Sequence, residues 1–158
     1  MTKRDVNIFD KIGTLIPGFK GYSNRSEMRS SDALLRNEVA SIIQQTEQIV
    51  IEIQKDLISS GEIQESLSWE KNRKSLNTLY SEIKYCVYGE TSFFSNKQIK
   101  EEELKLIYEF DEKMKELAKI IYEEIKIKKI NYKLEIPIKV EEMRNLKEDR
   151  TNFINKNK

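Results

Sequence analysis

Between Pro17 and Arg36 the chain reads PGFKGYSNRSEMRSSDALLR, and within it Arg25, Arg29, Asp32 and Arg36 recur at intervals of four, three and four. On a helix those positions form one ridge. Three guanidinium forks around a single carboxylate are suited to holding an anion or an acidic partner peptide. The turn before the ridge adds Phe19, Lys20 and Tyr22, with Gly18 and Gly21 allowing close backbone approach. Its spacing is not that of a phosphate-binding loop. The same residues could instead close on themselves: Arg29 and Arg36 both have Asp32 within one helical turn, and Glu109 or Asp111 could reach these arginines from another helix. The aromatics would then plug the end of a bundle.

Missing residue types exclude other chemistries. There is no histidine, which removes Ser/His/Asp and Cys/His triads, ordinary zinc sites and the histidine-containing di-iron motif of helical bundles. Cys86 is the lone cysteine; it can form no internal disulfide and has no imidazole base, so it reads as an apolar filler in a reducing cytoplasm. Carboxylate runs such as KEEELK read as a solvated face without a catalytic role. No cofactor, metal or enzymatic activity is therefore expected. The formal charge is +1, so no global field draws in nucleic acid, and any electrostatic recognition is local. No apolar run approaches the ~20 residues of a transmembrane helix or the ~7–15 of a signal-peptide core.

Charged residues make up 35% of the 158 and hydrophobic residues 38%, a balance typical of long, solvent-laced helices. Five glycines and two prolines are too few turns for a many-stranded β protein. The expectation is a single all-α domain over 1–158: an N-terminal amphipathic segment (1–22), a core of three long helices (23–129) packed up-down, and a linker with a short C-terminal helix (130–158). Ile8, Phe9, Ile12, Leu15 and Ile16 give the first segment one apolar face. The first long helix should run from an Asn24 cap to Ser60, stopped by Gly61, with a near-heptad stripe through Met28, Leu35, Val39, Ile42, Ile49, Ile53 and Leu57. That pattern leaves a coiled-coil homo-oligomer open.

The second helix is expected from Glu62 to Tyr88 through Ile63, Leu67, Trp69, Leu76, Leu79, Ile83 and Val87. The third should start at a Ser95 cap, where Gln98 completes a capping box and Phe94 staples Ile99. In INYKLEIPIKV, Ile130, Tyr132, Leu134, Ile136, Ile138 and Val140 alternate strictly, which is strand periodicity. Without a partner in the chain, the segment reads as a helix end running into an extended linker, or as a strand that pairs with another protein. Met143, Leu146, Phe153 and Ile154 mark the final helix.

Up-down packing brings residues 17–24 and 85–96 to one pole. Six of the chain's seven Tyr, six Phe and one Trp fall in those windows: Phe19, Tyr22, Tyr85, Tyr88, Phe93 and Phe94. One end of the bundle is thus expected to be aromatic, next to the arginine ridge.

The PGFKGY turn, the arginine-bearing helix start and the link YCVYGETSFF, followed by LIYEFDEKM, resemble a group of bacterial cytosolic all-helical proteins with no known activity. The resemblance covers about residues 8–115. It sets Pro17, Gly18, Gly21, Tyr22, Arg25, Arg29, Asp32 and Arg36 in one motif and Tyr85, Tyr88, Gly89, Phe93 and Phe94 in a second, and implies helical architecture alone. The functional expectation is a non-enzymatic interaction or scaffold module whose partner or anion surface is Phe19, Lys20, Tyr22, Arg25, Arg29, Asp32, Arg36, Tyr85, Tyr88, Phe93 and Phe94. The alternative is a peripheral membrane or stress-associated factor that docks on anionic lipid through the N-terminal segment.

Overall fold

The computed structural model describes residues 16–21, 25–86 and 101–156, and every regular element among them is helical. Helix α1 is Arg25–Ser59, α2 Ile63–Lys84, α3 Glu101–Lys128 and α4 Ile136–Lys156, with a six-residue 3₁₀ helix, Lys129–Leu134, between the last two. The expected caps at Asn24 and Ser95 and the N-terminal amphipathic segment through Leu15 lie outside the described residues.

α1 ends where Gly61 was expected to stop it. Gly61 has φ 83°, its N–H donates to the Ile58 carbonyl at 3.0 Å, and the Glu62 N–H donates to the Leu57 carbonyl at 2.8 Å. This is a Schellman closure. The core-facing line of α1 is Leu35, Val39, Ile43, Thr46, Val50, Ile53 and Leu57, all buried, so the stripe is rotated slightly from the expected one, and Ile42 and Ile49 flank it half-buried. Thr46 sits in that line because its hydroxyl donates to the Ile42 carbonyl at 2.8 Å, which removes the cost of burying it.

α2 runs back along α1: Gln54 bonds the Ser66 carbonyl, Glu47 pairs with Arg73, and Arg36 bonds the Lys84 carbonyl. Its buried line is Trp69, Asn72, Leu76, Leu79 and Ile83, a heptad spacing. Ile63 and Leu67, expected in that line, fall outside it and are exposed. The helix gives way to a turn at Tyr85.

The region 130–140 corrects the sequence reading. It is neither an extended linker nor a strand, and the last helix is 21 residues long rather than short. A period of two contains a period of four, so Tyr132, Ile136 and Val140 form one helical line and are buried, while Leu134 and Ile138, which share the same alternation, face outward. Pro137 sits in the first turn of α4, where a missing N–H leaves no helical bond unmade. α4 folds back along α3: Phe110 meets Phe153 at 6.1 Å between ring centroids, and Asp111 meets Arg150.

Candidate functional site: a buried arginine and carboxylate network

The Pro17–Gly18 turn is closed by the Phe19 N–H donating to the Ile16 carbonyl at 3.1 Å, with Gly18 at φ 81°. This is a type II turn, Pro at its second position and Gly at its third. It drives Phe19 inward, edge-on to Tyr108 of α3 at 6.3 Å between centroids. The loop is tied down where the Ser31 hydroxyl donates to the Gly21 carbonyl at 2.9 Å.

Asp32 lies one residue beyond Ser31 and is 2% exposed. One of its oxygens accepts Arg36 Nε at 2.9 Å and the other accepts Arg150 Nη1 at 2.9 Å. Arg150 also donates Nε to Asp111 at 2.7 Å, and Arg36 donates Nη1 to the Lys84 carbonyl at 2.7 Å, the last residue of α2. Two aspartates and two arginines from α1, α3 and α4 thus balance in charge inside the fold, and the network reaches the end of α2. Burial of such charges is tolerated only when each is paired and hydrogen-bonded, a condition these contacts meet. Beside it, the buried Lys115 ammonium pairs with Glu38, which joins α3 to α1 a second time.

The expected surface is therefore divided. Phe19 and Asp32 are inside the fold and Arg36 is half-buried, whereas Lys20 and Arg29 are exposed and Tyr85 is 65% exposed. Arg25 opens α1. Tyr22, Tyr88, Phe93 and Phe94 lie outside the described residues. The Lys84 ammonium donates to the Tyr80 hydroxyl at 2.6 Å and stands 5.0 Å from the Tyr80 ring centre and 5.6 Å from that of Tyr85. The Tyr80 bond, aided by the two phenol rings, pushes the Lys84 pKa up.

Arg150 was missed by the sequence reading. Its signal was present: Ile136, Val140, Met143, Arg150 and Ile154 fall on one helical line, so an arginine at a core position calls for buried carboxylates.

No family model, curated protein or solved structure matches the chain. Among the described residues no group of three or more Cys, Asp or Glu side chains is placed to hold a metal ion, and no helix is long and apolar enough to cross a membrane. A second polar seam joins α1 to α2, where Arg73 grips Glu70 with two bonds of 2.7 and 2.8 Å and Glu47 with one of 2.9 Å, and Glu47 also accepts from Asn77 at 3.2 Å. Arg73 holds the Glu70 carboxyl at about 2, below its ordinary 4.5. Near the end of α2, Glu82, Cys86, Arg144 and Lys147 line an open groove of about 330 Å³; Glu82 pairs there with Arg144 at 3.1 Å.

Proposed function

We propose that the chain is a non-enzymatic interaction module built on an up-down helical bundle, and that its contact surface is the pole bearing Lys20, Arg29 and Tyr85. The topology is supported by the pairings of α1 with α2 and of α3 with α4, each running in opposite directions, and by Glu38 meeting Lys115 as α3 returns alongside α1. The observation that carries the functional reading is the inward closure of the ionic network. Asp32 and Arg150 are consumed within the fold, so the network serves as a rigid support for the side chains around it. The exposed cations and the Tyr85 ring stand around that rigid support, and a tyrosine together with an arginine is a composition favoured at protein interfaces.

The test is a photo-crosslinking amino acid placed at Tyr85 or, as a control, at the exposed Glu116 of α3. Position 85 should give a discrete protein adduct that position 116 does not. Lys20→Glu with Arg29→Glu should abolish the adduct while leaving helical circular dichroism intact, because both side chains are exposed and neither belongs to the buried core. The same adducts from both positions, or none from 85, would remove this reading.

A further inference from the structure

Far from that pole, the turn joining α3 to α4 carries an unusual surface. Residues 126–139, KIKKINYKLEIPIK, hold five lysines and one glutamate, a local charge of +4 in a chain whose total is +1. α3 continues 17 residues past Asp111 to Lys128, so this turn lies ~25 Å along the helix from the buried network.

The fold also leaves Ile127 77%, Leu134 78% and Ile138 68% exposed, and these are the three most exposed large apolar side chains among the described residues. Single exposed aliphatics are ordinary. Three within one helix connection, interleaved with lysines, are not explained by packing, since the helical line through Tyr132 and Ile136 already fills the core there. Lys133 is drawn inward to Glu65 and Ser68, Lys139 pairs with Glu142 at 3.2 Å, and Lys128 pairs with Glu124 and Glu135 at 3.8 and 3.9 Å and lies over the Tyr132 ring, but Lys126 and Lys129 make no ion pair among the described residues. Lys129 itself sits at φ 42°, where the chain leaves α3.

We propose that this turn docks on an anionic lipid surface, with Ile127, Leu134 and Ile138 entering the headgroup boundary and Lys126, Lys128 and Lys129 meeting lipid phosphates. Charge complementarity identifies the occupant, because apolar side chains ringed by lysines match an interface that is greasy below and negative above. Side chains that protrude by more than two-thirds of their surface offer a wedge to a bilayer, whereas a peptide partner needs a groove to lie in.

Co-sedimentation of the full chain with vesicles tests the proposal. Binding is expected to vesicles of phosphatidylcholine mixed with phosphatidylglycerol and not to phosphatidylcholine alone. Ile127→Ser, Leu134→Ser and Ile138→Ser together, and separately Lys126→Glu with Lys129→Glu, should each lower partitioning by at least about tenfold with unchanged circular dichroism. Lys20→Glu with Arg29→Glu, at the other pole, should leave it intact, so failure here and failure of the interaction reading are distinguishable. Three results would overturn the proposal: no binding to either vesicle; binding that survives both sets of tip substitutions, which would assign the contact elsewhere, as to residues 1–15; or a dimer in sedimentation velocity that the triple serine variant abolishes without any vesicle binding, which would assign the patch to a second copy of the chain.

Discussion

Arg150 Nη1 lies 2.9 Å from Asp32 Oδ1 across 118 residues of chain, joining α4 to α1, two helices that otherwise share little backbone contact. The side chains are each 2% exposed. Through its Nε the same guanidinium holds Asp111, which is fully buried. Arg150→Met should therefore cost about 3–5 kcal/mol, since it strips a charged donor from two buried carboxylates, and the melting temperature should fall by roughly 10 °C. Combining Arg150→Met with Asp32→Asn and Asp111→Asn should recover part of that loss, because no carboxylate is then left facing the apolar replacement, although Arg36 loses its ionic partner. Thermal melts of the single and triple variants decide the matter. A triple variant no more stable than the single one would show that shape, not charge, holds the three helices.

The turn between α1 and α2 isolates a purely conformational cost. A Cβ built on Gly61 would meet nothing within 4 Å, yet the backbone there is at φ 83°. Gly61→Ala is expected to destabilise by about 1–2 kcal/mol through the left-handed geometry alone, and chemical denaturation should show the loss as a shifted midpoint with an unchanged slope.

The parts legible in the sequence were those governed by local rules. The all-helical class followed from the scarcity of turn residues, the end of α1 from Gly61, and the pairing of Arg36 with Asp32 from their spacing of four. Glu109 or Asp111 is expected to reach the ridge, and in the structure Asp111 pairs with Arg150 of α4. Arg150 is not legible in this way, because its burial depends on Asp32 and Asp111, carboxylates that two other helices bring to it. The alternation from Ile130 to Val140 is real but ambiguous: every second residue is apolar, and helix geometry buries Tyr132, Ile136 and Val140 while leaving Leu134 and Ile138 exposed. Likewise, Phe19 on a glycine-flanked turn reads as an exposed aromatic until the type II turn is seen to aim it at Tyr108. Tertiary direction, not residue type, made those two decisions.

Glu70 supplies a pH-dependent test. The Arg73 fork lowers its pKa from 4.5 to about 2, so the folded state binds a proton less readily than the unfolded chain. A depressed carboxyl pKa adds stability that is fully present above about pH 4.5 and is lost as the pH falls toward 2. The side chain is 34% exposed, so solvent screening limits the contribution to about 1 kcal/mol at most. Glu70→Gln should be slightly less stable than the parent at pH 7, and the two denaturation curves should converge between pH 4.5 and 2. A gap that stays constant over that range would place the origin in packing rather than in the charge.

Tyr132 offers the opposite sign. Its side chain is fully buried, and among the described residues its hydroxyl has no hydrogen-bond partner. Burial first, and the nearby Glu124 carboxylate second, push the phenol pKa above its ordinary 10.0. A raised acid pKa means that the fold favours the neutral form, so the associated stability is intact below about pH 10 and declines as the pH rises beyond it. Tyr132→Phe deletes a hydroxyl that faces the Glu124 carboxylate while keeping the ring, so at pH 7 it should cost no more than about 1 kcal/mol. Above pH 10 the parent should weaken relative to Tyr132→Phe, since only the parent must keep a buried phenol protonated against solvent. The difference between the two melting profiles cancels the other tyrosines and the lysines, which titrate in both chains. A large loss at neutral pH in the phenylalanine variant would reveal that the hydroxyl is held by a hydrogen bond after all, and parallel profiles through pH 11 would show that its environment is not the apolar one described.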